Sequence, residues 1–175
     1  MYVVMNTTHT IPAFVLAFLL FTPAAAQEAK LLGEFGDWEA YQESDGGKPV
    51  CYMGAQPTKT RGKYKKRGET YMLITHRPAE KSFGVISVRA GYAYLKETEA
   101  TATIGADTFR LFTDVGHAFA QDKKTDTALI KAMVRGARMI IQGTSSRGTK
   151  TTDTYSLKGV ARPAWKAINK ACKAP

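Results

Sequence analysis

A mainly β fold, a sandwich or barrel of short strands with one short internal helix and a second helix at the C-terminus, is what the sequence predicts. Three observations carry this. Apolar residues alternate with period two through about eight short runs, the signature of strands with one buried face. Gly, Pro and Asp turn chemistry separates most of those runs at short spacing, which suits a sandwich or barrel better than a parallel sheet. Only two segments carry helical periodicity.

The first element is not part of that fold. Ile11 to Phe21, IPAFVLAFLLF, is an uncharged stretch followed by Pro23 and the small residues Ala24, Ala25 and Ala26. This has the form of a secretory signal with cleavage after Ala26, although no Lys or Arg precedes the apolar run. As a helix the run would span about 16 Å, short of the roughly 30 Å of a bilayer core, so it makes a poor permanent anchor. Residues 27–34 read as a polar, flexible leader, and 35–175 as a single domain with one core. Strand-like runs follow at Trp38 to Gln42, Val50 to Gln56, Tyr71 to His76, Val85 to Leu95, Ala100 to Ile104, Thr108 to Phe112, Met139 to Thr144 and Thr152 to Leu157. In the fourth, Ile86, Val88, Ala90, Tyr92 and Tyr94 share one face. Gly105, Ala106 and Asp107 read as a hairpin turn. Asp126 is placed to cap the internal helix, with Leu129, Ile130, Met133 and Val134 on one face and Gly136 as its stop. Pro163 opens the C-terminal helix, where Trp165, Ile168 and Cys172 fall on one stripe.

All 25 Lys and Arg and all 15 Asp and Glu lie after residue 26, so a processed chain keeps the whole net charge of +10. That charge attracts anionic surfaces, though excess Lys also serves solubility alone. Export makes a lipid headgroup, lipopolysaccharide or an acidic glycan a more available partner than nucleic acid. The two cysteines, Cys51 and Cys172, are expected to pair in an oxidising compartment. A loop of about 120 residues closed in this way stabilises a fold by roughly 4 to 5 kcal/mol in the chain-entropy model.

Two segments stand out as candidate sites. Lys59, Arg61, Lys63, Lys65, Lys66 and Arg67 place six cations in nine residues with Tyr64 among them, and the first four alternate. In an extended chain they form a comb that can track phosphates or carboxylates; equally, they form a solvated loop between strands. The second segment, Gly143 to Asp153 (GTSSRGTKTTD), offers Ser145, Ser146, Arg147, Thr149 and Asp153 as a candidate ligand loop whose amides and Arg147 could cradle an anion. The same composition suits a hairpin whose hydroxyls satisfy local backbone. A hydrolase assembled from Ser145 or Ser146, His76 or His117 and Asp153 lacks a G-x-S-x-G elbow, and no spacing singles out metal ligands or a cofactor. The sequence names no catalytic residue. His76 reads as a structural hydrogen-bonder, and Asp37-Trp38 as a turn followed by a core aromatic.

Several strings together resemble the invasion-associated locus B proteins of Gram-negative bacteria: FGDW at 35–38, THRP at 75–78, GYAY at 91–94, LFTD at 111–114 and, most specifically, GTSSRGTKTTDTYSL at 143–157. The resemblance implies an exported periplasmic or envelope protein with an immunoglobulin-like β-sandwich, associated in pathogenic members with entry into host cells. It supplies no catalytic residues. Many relatives carry a cysteine soon after the GDW string, whereas Glu39, Ala40, Tyr41 and Gln42 stand here. On this reading the protein binds an envelope component or partner protein without catalysing a reaction.

Overall fold

A computed structural model describes residues 28–158 and 161–175, and the expected signal sequence lies outside them. The described residues form the expected mainly β fold with one internal and one C-terminal helix. The strands are β1 (Lys30–Phe35), β2 (Trp38–Asp45), β3 (Lys48–Ala55), β4 (Lys59–Gly62), β5 (Tyr71–Arg77), β6 (Ser82–Arg89), β7 (Ala100–Ile104), β8 (Asp107–Asp114), β9 (His117–Ala120), β10 (Arg138–Thr144) and β11 (Lys150–Ser156). Helix α1 spans Lys123–Arg135 and α2 spans Ala161–Ala171.

The strands make one antiparallel sheet in the order β1-β2-β3-β5-β6-β9-β8-β7-β10-β11-β4. Buried side chains from its two halves, among them Trp38, Met53 and Ile86 from one and Ala102, Ile141 and Tyr155 from the other, belong to a single core cluster. The two sandwich layers are therefore parts of one continuous sheet. Trp38 joins them: its ring is fully buried, and its indole N–H donates to the Ser156 carbonyl of β11 at 2.9 Å. Burial of such a side chain contributes about 3 kcal/mol, and the hydrogen bond satisfies its polar edge.

Four expectations need correction. The leader is not wholly irregular, because Lys30–Phe35 pairs with β2 as a sheet edge. β4 and β9 escape the apolar pattern: β4, KTRG, is exposed throughout, and β9, HAFA, has only four residues. The run expected to reach Leu95 leaves the ladder after Arg89, because Gly91 has φ +72° and packs against the Gly68 backbone. A Cβ at Gly91 would lie 2.4 Å from the Gly68 oxygen, so the turn requires glycine. The cap of α1 is Asp122, which accepts from the Thr125 amide at 2.7 Å. Asp126 lies one turn inside the helix and is buried, where its carboxylate accepts from the Ile86 amide at 2.9 Å. It ties α1 to β6.

The hairpin at Gly105-Ala106 forms as expected, with Ile104 opposite Asp107. Cys51 and Cys172 are bonded across 121 residues, joining the end of α2 to β3. Ala164, Ile168 and Cys172 supply the buried stripe by which α2 packs over β1, β2 and β3. Among the described residues no helix is long and apolar enough to cross a membrane.

Candidate functional site

The two segments singled out in the sequence meet. A cavity of about 580 Å³ is lined on one side by residues 63–68 and on the other by Ser145, Ser146, Arg147, Thr149 and Thr151, with Tyr92 and Ala93 between them. Its charge is one-sided. Lys63, Lys65, Lys66 and Arg147 stand exposed around it, and no carboxylate lines it.

Arg67 and Asp153 are not available to a ligand. Their side chains are only 6% and 3% exposed, and they form a bidentate pair with N–O distances of 2.7 and 2.6 Å. Arg67 also donates from Nε to the Ala90 carbonyl and stacks within 5.5 Å of Tyr64 and 5.1 Å of Tyr92. Burial alone would lower the guanidinium's pKa, but the paired carboxylate more than offsets this and raises it above its ordinary value. The pair braces the cavity from below. It bonds the loop after β4 to β11 and positions the two tyrosines.

The comb is also divided. Strand pairing sets Lys59 beside Thr154 and Arg61 beside Thr152 on β4, outside the cavity, whereas Lys63, Lys65 and Lys66 lie beyond the strand and line it. In the other segment four of the loop's amides are already occupied. Ser145 N–H donates to Thr149 O, Ser146 N–H to Ala93 O, Gly148 N–H to Ser145 O and Thr149 N–H to the Ser145 hydroxyl. Most of the backbone cradle expected from the sequence is thus used within the turn, which leaves the Arg147 amide and the exposed side chains to meet an anion. Ser145 is buried as a turn brace, while Ser146 and Arg147 are exposed.

Two further lining residues, Tyr92 and Thr151, carry no signal as site residues in the sequence. The Tyr92 hydroxyl shares a 2.6 Å hydrogen bond with the Thr151 hydroxyl, and its ring meets Tyr94 edge-on at 5.2 Å. Burial chiefly, against the pull of that hydrogen bond and Arg67, raises the Tyr92 pKa, so the phenol stays neutral. The GYAY string was the visible signal; its position opposite residues 145–151 was not. Gly143 makes room for both rings, since a Cβ there would come within 2.6 Å of Tyr94 and 3.0 Å of the Tyr92 hydroxyl.

Neither His76 nor His117 lines the cavity that holds Ser145 and Ser146. His76 lines a different cavity and uses both ring nitrogens, accepting from the Gly84 amide at 2.9 Å and pairing with Asn169 at 2.8 Å. Ser145 and Asp153 are engaged as described, and His117 stacks on Phe119 in β9. Among the described residues no group of three or more His, Cys, Asp or Glu side chains could hold a metal ion.

Fold and site together define a small, disulfide-stapled β-sandwich with a cationic cleft between its two halves. The family model described as "Invasion associated locus B (IalB) protein" matches residues 38–169, and the chain belongs to that family. Its fold is similar to that in the crystal structure of invasion associated protein B from Bartonella henselae, with a TM-score of 0.52 over 81% of this chain and 97% of that one, at 13% identity. No match was found among curated proteins.

Proposed function

We propose that this protein is exported to the periplasm or cell surface and binds an anionic envelope component, an acidic glycan or phosphorylated lipid headgroup, without catalysing a reaction. The carrying observation is the cleft, where four free cations from two segments far apart in the chain surround tyrosine and hydroxyl groups with no lining carboxylate. Charges placed this way raise local anion concentration, and aromatic and hydroxyl groups suit the faces and edges of sugars. Export is supported by the leader pattern ending at Ala26 and by the closed Cys51–Cys172 bridge, which persists in oxidising compartments. Absence of catalysis is supported by the engagement of Ser145, His76 and Asp153 in structural hydrogen bonds. The family takes its name from invasion, and the cleft fits a contact with an anionic surface of the cell's own envelope as well as of a host.

Binding to heparin and to lipopolysaccharide micelles tests the cleft. Affinity is expected to fall steeply as salt rises from about 50 to 300 mM, because the contacts are exposed charges. Reversing Lys63, Lys65 and Lys66 to Glu should abolish binding, while reversing Lys59 and Arg61 should weaken it far less. Equal effects of the two reversals, or insensitivity to salt, would remove the cleft from the account. Export is checked by mass spectrometry of the periplasmic fraction, where the mature amino terminus is expected at Gln27.

A further inference from the structure

A second cavity, of about 500 Å³, lies where α1 and α2 converge over β6, and it shares no residue with the cationic cleft. Its floor is a constructed irregularity. His76 pairs with Phe83 and Thr75 with Val85, so Gly84 is the extra residue of a β-bulge, held at φ +73°. The bulge turns the Gly84 amide onto His76 Nδ1, which fixes the proton on Nε2 and directs it to Asn169 Oδ1. A Cβ on Gly84 would come within 3.0 Å of Ile130 and 3.3 Å of Trp165, so glycine keeps this floor low. The polar groups of the floor are thereby satisfied by one another.

The walls have opposite characters. Phe83, Ile130, Val134 and Trp165 make one apolar, while Lys123, Lys131 and Arg135 recur at multiples of four along α1 and form a cationic ridge beside it. No Asp or Glu lines the cavity; Pro175, which carries the terminal carboxylate, is among its lining residues. Among the described residues neither that carboxylate nor any of the three cations makes an ion pair, so the lining keeps an excess of positive charge. An apolar slot beside a cationic ridge matches a molecule with an apolar tail and one anionic head. At about 30 Å³ for each water-sized group, the volume accommodates a chain of about a dozen carbons.

We propose that this cavity binds a fatty-acid carboxylate, its chain against Phe83, Ile130, Val134 and Trp165 and its head against Lys131 and Arg135. The site is independent of the cleft, so either can fail without the other.

Titration of the full-length processed protein with monomeric dodecanoate tests this, read by Trp165 fluorescence and by calorimetry. Saturable one-to-one binding is expected, with no comparable binding of dodecyl maltoside or dodecyltrimethylammonium. Replacing Trp165 by Phe should remove the fluorescence change and keep the calorimetric signal. The exposed double variant Lys131→Glu/Arg135→Glu should lose affinity for dodecanoate by about tenfold or more and gain affinity for dodecyltrimethylammonium. No binding, equal binding of all three amphiphiles, or binding unchanged by the double reversal would overturn the proposal. So would a response to anionic vesicles without one to monomeric dodecanoate, which would mark a membrane-contacting surface instead.

Discussion

Arg67 and Asp153 are withdrawn from solvent together, and neither could remain charged there alone. Replacing Asp153 by Ala leaves a buried guanidinium unpaired and is expected to cost about 3 to 5 kcal/mol, measured by urea unfolding. A double variant that also replaces Arg67 by Met should recover much of that loss, since the penalty lies in the unpaired charge. His76 is the other residue whose surroundings dictate its state. Burial lowers its pKa against the hydrogen bond that Nε2 donates to Asn169, and protonating Nδ1 would break the bond from Gly84. The unfolded chain therefore takes up the proton first, and the His76 contribution is complete above about pH 6.5 and declines as pH falls toward the depressed folded value. Asp126, raised chiefly by burial, acts in the opposite sense at lower pH. The melting temperature should drop between about pH 7 and 5, and a His76→Gln variant should show a smaller drop. From the sequence, His76 was legible as a structural residue because it ends an apolar run. Arg67 looked like one more tooth of a basic comb, because its partner stands 86 positions away.

At the scale of elements, α2 depends on the bridge that ends it. Opening Cys51–Cys172 by a double Cys→Ala change frees a loop spanning 121 residues and is expected to lower stability by about 4 to 5 kcal/mol in denaturant unfolding. Strands with one clean apolar face, such as β5 with its strict alternation of buried and half-buried residues, were legible from period alone. β4 was not, because an edge strand exposed on all four residues buries nothing that could leave a pattern. The α1 cap is illegible in the sequence for a related reason. Asp122 and Asp126 are chemically alike and one turn apart, and only the Ile86 amide above Asp126 distinguishes the cap from the buried tie.

For the whole molecule, the decisive event is the meeting of residues 63–68 with 145–151 across Tyr92. Composition showed both segments, and neither revealed the other, because their approach is set by β11 pairing with β4 and by the chain reversal at Gly91. The one-sided charge of the cleft is likewise a property of the fold. Arg67 is neutralised inside, Lys59 and Arg61 stay outside, and four cations remain around it. Amide chemical-shift mapping with a heparin-derived disaccharide tests this most directly. Shifts should cluster at Lys63 to Gly68, Tyr92 and Ser145 to Thr151 and vanish in high salt; shifts spread over the whole basic surface, or none at these residues, would contradict it.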